Sequence, residues 1–216
     1  MSTTSEPISA ELLAYLAAHT TQEDELLQAL KSAAPEAGLP AIWISPEQGS
    51  LMQILVRLVG ARHVVEVGTL GGYSAIWMAR GLAPGGKLVT IEIDPKHAEF
   101  ARGWIERADL GETIEVRQGA GSEVLPTLAS GASDAIFIDA DKQGYAGYLR
   151  EALRILRPGG LVMVDNAFAF GCVLDGDEQS PDVAAVRAFN DELAANAGVD
   201  GIIVPVGDGC WVGVKR

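Results

Sequence analysis

The chain predicts an α/β fold, an open and mostly parallel sheet with helices on both faces and a C-terminal antiparallel hairpin. Three observations predict it. Short β-branched runs alternate with helical stretches from residue 64 to about residue 195, the pattern of repeated βα units. The first run, Val64-Val65-Glu66-Val67, stops at a glycine-rich turn that opens a helix. The last two runs, Ile202–Val206 and Trp211–Val214, are separated only by a Gly207-Asp208-Gly209 turn region, with no helix between them.

The elements follow in order. Residues 9–18 read as a short amphipathic helix, with Leu12, Leu13, Tyr15 and Leu16 at helical spacing. Thr20 and Glu23 have capping-box spacing and should open a second helix with Leu26, Leu27 and Leu30 on one face, broken by Pro35, Gly38 and Pro40. Gly49–Val59 is helical again. Strands are expected at Val64–Val67, Leu88–Ile93, Ile114–Val116, Asp134–Ile138 and Leu161–Val164, the apolar runs of buried parallel strands. Between them lie helices over Tyr73–Leu82, Pro95–Ala108, Ser122–Leu128 and Lys142–Leu156, and Pro181–Ala195 follows the fifth strand. Pro84-Gly85-Gly86 and Pro158-Gly159-Gly160 read as turns.

Composition narrows the class. The 216 residues are 48% hydrophobic and 21% charged, enough for one sizeable core. One domain over 1–216 is expected, with an N-terminal helical cap over 1–45 and a core over 60–216. A formal net charge of −13 disfavours nucleic acid as a partner. Cys172 and Cys210 form no CxxC and fit free thiols in a reducing cytoplasm. The N-terminus has no signal-peptide pattern, and no apolar run approaches the length of a membrane span. His19, His63 and His97 stand apart, and Ser74 fails the GxSxG pattern of a hydrolase nucleophile.

Ligands of open α/β sheets bind beyond the carboxyl ends of the strands, so the strand ends carry the functional reading. The first ends Gly68-Thr69-Leu70-Gly71-Gly72-Tyr73-Ser74. Glycines there permit close backbone approach, and the following helix offers N–H groups to an anion. The second strand reaches Glu92, placed to accept bonds from two ribose hydroxyls. Together these indicate a nucleoside-containing cofactor. Leu70 replaces the second glycine of GxGxxG, which weakens a nicotinamide reading. Glu66 is an acid inside an apolar strand, costly unless bonded. It either binds its own turn or faces a cationic end of the cofactor.

The fourth strand ends in Asp139-Ala140-Asp141-Lys142 and the fifth in Asp165-Asn166. On adjacent strands, Asp139, Asp165 and Asn166 form an all-oxygen set suited to Mg²⁺ or Ca²⁺, with Mn²⁺ a further alternative. Each residue alone also reads as an N-cap or turn. The absence of His or Cys from the set argues against zinc. Lys142 is the candidate general base, since a nearby dication disfavours its charged form.

The segments VVEVGTLGGYSAIWMA, LVTIEIDP, DAIFIDADKQGYAGYL, LRPGGLVMVDN and PVGDG resemble, in order, the bacterial branch of the cation-dependent O-methyltransferases, the catechol and caffeoyl-CoA O-methyltransferase family. The resemblance runs from about Ser45 to the C-terminus. It implies a seven-stranded, Rossmann-like class I methyltransferase sheet, S-adenosylmethionine and a divalent metal as cofactors, a phenolic small-molecule substrate and a homodimer. Carried over, Glu66, Gly68 and Ser74 would hold the methionine end of the cofactor, Glu92 the ribose and Ala120 the adenine side. Ile44 and Ser45 fall where the family lines the methionine and substrate side. Asp139, Asp165 and Asn166 match the metal ligands, with Asp139 also beside the cofactor, and Lys142 matches the base. Asp141 and Ala140 stand where the mammalian catechol enzyme has tryptophan and histidine. Ala167-Phe168-Ala169-Phe170-Gly171 replaces the Leu-Trp-Gly-Gly of many bacterial relatives. Phe168 and Phe170 are expected to wall the substrate beside the metal, and Trp43 to line the opposite side. A nicotinamide-dependent oxidoreductase and a non-catalytic cofactor-binding module are the competing classes.

Overall fold

A computed structural model describes residues 8–216, so the first seven residues of the cap and the start of the N-terminus read above lie outside the described residues. Three helices come first: α1 (Ala10–His19), α2 (Glu25–Glu36) and α3 (Pro46–Leu58). Then follow β1 (His63–Val67), α4 (Tyr73–Ala79), β2 (Lys87–Glu92), α5 (Pro95–Arg107), β3 (Ile114–Gln118), α6 (Gly121–Val124), β4 (Ser133–Ile138), α7 (Tyr145–Ile155), β5 (Leu156–Val164), α8 (Pro181–Ala194), β6 (Val199–Val204) and β7 (Cys210–Lys215).

The seven strands form one sheet in the order β3-β2-β1-β4-β5-β7-β6, with β7 antiparallel to both neighbours and all other pairings parallel. The expected architecture is therefore present, hairpin included. The order reverses between β1 and β4, which puts the switch-point crevice at their carboxyl ends. Strand alternation divides the core. Ala135, Phe137, Leu161 and Met163 face α3, α4 and α5, while Ile136, Ile138, Val162 and Val164 face α7 and α8.

Four local expectations change. The cap of α2 is Asp24, whose carboxylate accepts from Leu27 N, not Thr20. Thr20 instead ends α1, and its hydroxyl donates to Leu16 O. Glu23 is drawn away from the helix by Lys31 and Tyr73, so tertiary partners defeat the capping box. Pro35 lies within the last turn of α2 rather than ending it, and the chain reverses at Gly38, φ 75°. The Pro158-Gly159-Gly160 turn is a bulge inside β5. Ser133 pairs with Leu156 and Ala135 with Leu161, so Asp134 alone faces Arg157–Gly160, and Arg157 Nε donates to Asp134 Oδ1 at 2.7 Å. The apolar residues of α1 do not enter the core. Leu12, Leu13, Tyr15 and Leu16 are all exposed.

Candidate active site

A cavity of about 960 Å³ opens at the carboxyl ends of β1, β2, β4 and β5. Its floor is built by register. Glu66 lies between Thr90 of β2 and Phe137 of β4. It is fully buried and accepts bonds from Ser74 Oγ at 2.5 Å and Thr90 Oγ1 at 2.6 Å. Burial outweighs those two bonds, and Asp139 and Glu92 add repulsion, so the carboxyl is pushed up to about 8. Thr90 passes the network on to Thr69 in the glycine turn.

Gly68 has φ 96°, and a Cβ there would fall 2.0 Å from the carbonyl oxygen of Asp139. The glycine is thus required by contact between two strand ends of the protein itself. Leu70, in place of the second glycine, adopts φ 48°, a conformation costly for a leucine. Glu92 holds it there: Oε2 accepts from Thr69 N at 3.1 Å and Leu70 N at 2.8 Å, and Oε1 from Asp94 N at 2.9 Å. A carboxylate has about four lone-pair sites, so Glu92 retains acceptor capacity towards the cavity it lines. Ala120, the N-cap residue of α6, lines the same end, and buried Ile44 lines the cavity from the segment before α3.

Ile138 and Val164 are register partners, so the residues that follow them, Asp139 and Asp165, leave neighbouring strands side by side. Asp165 is buried, and burial with repulsion from Asp139 holds its carboxyl well above the usual carboxylate range. Gln48 of α3, completely buried, donates Nε2 to Asp165 Oδ1 at 2.8 Å. Asn166 adopts φ 61° and donates Nδ2 to Asp208 Oδ2 at 3.1 Å. Among the described residues no three His, Cys, Asp or Glu side chains are grouped to hold an ion, so a metal here needs the amide oxygen of Asn166. The two carboxylates and that amide fit a hard dication, because each donor is an oxygen and the repelling acids would both gain from a cation.

Lys142 approaches from a 3₁₀ turn ahead of α7. Its Nζ donates to Asp139 Oδ1 at 3.1 Å, Ala140 O at 3.1 Å and the Tyr145 hydroxyl at 2.8 Å. Asp141 is exposed and accepts from the Tyr148 hydroxyl at 2.5 Å.

Trp43 lines the cavity, with Lys31 Nζ 5.9 Å from its ring centroid. Lys31 and the Tyr73 hydroxyl both bond Glu23, which fastens α2 to α4. Phe170 lines the cavity and is 78% exposed, so its ring is available at the mouth. Phe168 is a correction. It is absent from the cavity lining and packs on Gly209, where a Cβ would come within 2.8 Å of its ring. Its direction is set by backbone pairing, Phe168 N to Asp208 O and Ala167 N to Gly209 O, each 2.9 Å.

The structure therefore brings together Ile44, Gly68, Ser74, Glu92, Ala120, Asp139, Lys142, Asp165 and Asn166 around one cavity, whereas Glu66 does not line it and lies buried behind Ser74. Sequence reading missed Gln48, Asp208, Tyr145 and the Glu23–Lys31–Tyr73 group. Only Asp208 carried a signal, a charged residue between two glycines, and a turn accounts for that pattern equally well.

A family model described as O-methyltransferase matches residues 17–216. The chain is 45% identical to a catechol O-methyltransferase of Niastella koreensis, over 90% of this chain and 87% of that one. It is 38% identical to a catechol O-methyltransferase of Mycobacterium tuberculosis, over 96% and 94%. Among solved structures, the O-methyltransferase from Bacillus cereus in complex with SAH superposes with a TM-score of 0.86 at 38% identity, covering 94% of this chain and 96% of that one.

Proposed function

This chain belongs to the O-methyltransferase family and is an S-adenosylmethionine-dependent O-methyltransferase; from that premise we propose that it methylates one hydroxyl of a vicinal-diol phenol, such as a catechol, with the help of a divalent cation, Mg²⁺ first. The observation that carries the proposal is the convergence of Asp139, Asp165 and Asn166 at the end of the cavity that Ser74 and Glu92 also line. The catechol activity named for two relatives agrees with it.

When bound, the dication would hold both diol oxygens and make the reacting hydroxyl more acidic, while S-adenosylmethionine supplies the methyl group on its sulfonium. The protein does the rest. Glu66 and Ser74, with Gly68, form the methionine end of the site, and Glu92 and Ala120 the ribose and adenine end. Lys142 takes the proton from the hydroxyl. As an ammonium it uses three N–H bonds on three acceptors; as a neutral amine it has two hydrogens, so one contact is released and a lone pair becomes free for the substrate proton. Trp43, Ile44 and Phe170 provide apolar surface for a flat ring and exclude water. A nicotinamide oxidoreductase is not favoured, because family membership assigns the cofactor. Two arrangements outside the site belong to the same reading. Exposed Leu12, Leu13 and Leu16 on α1, with Ile54 and Leu58 on α3, suit burial in a homodimer, and the free cysteines suit a reducing cytoplasm. No helix among the described residues is long and apolar enough to cross a membrane.

The test is metal removal. EDTA should abolish methylation of catechol and Mg²⁺ should restore it, while Asp165→Ala should bind cofactor yet give no turnover. Full activity under chelation would reduce the acidic pair to a structural role.

A further inference from the structure

The Gly207-Asp208-Gly209 turn joins β6 to β7, and as a turn it needs nothing more than small and polar residues. Its contacts go further. Asp208 is half-buried, and Oδ2 accepts from Asn166 Nδ2 at 3.1 Å and from Phe170 N at 2.8 Å. Oδ1 lies 2.9 Å from the same Phe170 N. Each glycine is held to its identity by a neighbouring side chain. Gly207 has φ 57°, and a Cβ on it would sit 2.2 Å from Gln48 Oε1, the side chain that bonds Asp165. Gly209 has φ 78° and carries the Phe168 ring on its face.

Asn166 is the one member of the proposed metal set with two chemically different ends. Its Oδ1 can ligate a cation and its Nδ2 cannot. The backbone does not choose between them. A carboxylate does, because an ionised carboxylate only accepts, and it therefore claims Nδ2 and leaves Oδ1 on the opposite side. Resting on the metal reading above, we infer that Asp208 is a positioning residue that fixes the ligating orientation of the Asn166 amide and ties the Phe170 wall to it. Gln48 does the corresponding work for Asp165, so the outer contacts of the metal pair come from α3 and the β6–β7 turn, away from the strands that carry the ligands.

The experiment is Mn²⁺ titration of the S-adenosylhomocysteine-loaded protein, followed by electron paramagnetic resonance of the free ion. D208A should lose about 10–100-fold in Mn²⁺ affinity, the usual size of an outer-contact effect, with cofactor affinity unchanged by calorimetry. D208N should fall between wild type and D208A, since its amide oxygen serves Phe170 N from either the Oδ1 or the Oδ2 position but accepts from Asn166 Nδ2 only from the second. Unchanged affinity in D208A overturns the inference. So does a D208N as weak as D208A, which would make Asp208 a charge or a direct ligand. Should D208A not fold, D208S takes its place, its side chain too short to reach Nδ2. Wild-type protein that takes up no Mn²⁺ defeats the metal reading itself, a result distinct from loss of the orientation effect alone.

Discussion

The two ends of the cavity are built differently. At the cofactor end, Glu66 and Glu92 are satisfied by groups of their own and adjacent βα units: Ser74, Thr90, and the backbone N–H groups of Thr69, Leu70 and Asp94. At the acceptor end, Asp165 is held by Gln48, 117 residues away in sequence, and Asn166 by Asp208, 42 residues away. The first end follows from strand register and a glycine turn. The second exists only once the N-terminal helices and the C-terminal hairpin have docked.

The largest effect is expected at the acceptor end. Lys142→Ala should depress turnover by about a hundredfold or more, the usual size of a general-base contribution, with cofactor affinity retained. Wild-type turnover at neutral pH in that variant would remove Lys142 from the chemistry. At the cofactor end, Glu92→Ala should weaken S-adenosylmethionine binding by about 1.5–3 kcal/mol, through lost charge-assisted hydrogen bonds. Part of that loss would come from releasing the strained Leu70 turn that Glu92 also holds. Unchanged affinity by calorimetry would remove Glu92 from the ribose site.

A subtler contrast uses pH. Burial pushes Glu66 up to about 8 from an ordinary value of 4.5. Between those values the unfolded chain has lost the proton and the folded chain keeps it, so the folded state binds more protons and stability falls as pH rises. Below about 4.5 both forms are protonated and the effect vanishes. Glu66→Gln removes this dependence. In cofactor-free protein, the stability of the variant relative to wild type should therefore increase from pH 5 to pH 8, on the order of a few kcal/mol. A difference independent of pH would mean that Glu66 is ionised in the folded protein throughout.

The contrast also explains what could be read from the sequence. The sheet, its hairpin and the strand-end residues were legible, because β-branched runs, glycine turns and acids at run ends are local signals. Leu70 stands where the pattern lacks a glycine, and the structure shows a leucine held in the left-handed conformation by Glu92. The misreadings share a cause. Thr20 and Glu23 have the spacing of a cap, but Lys31 and Tyr73 compete for Glu23. Phe168 follows a proposed ligand as closely as Phe170 does, but pairing with Asp208 and Gly209 turns it onto the hairpin. Gln48 looks like any helix residue until Asp165 is beside it. Partners brought in from far along the chain leave no periodicity to detect.

Sharing the proposed ion between the substrate and the Asp139–Asp165–Asn166 set requires two adjacent oxygens on the substrate. The most direct measurement is the Mg²⁺-supported methylation rate of catechol and caffeoyl-type diols beside matched monophenols of the same ring and side chain. Methylation of the diols is expected, and none above background for the monophenols. Comparable rates for the two would contradict the bidentate arrangement, even for an enzyme that proved to need Mg²⁺.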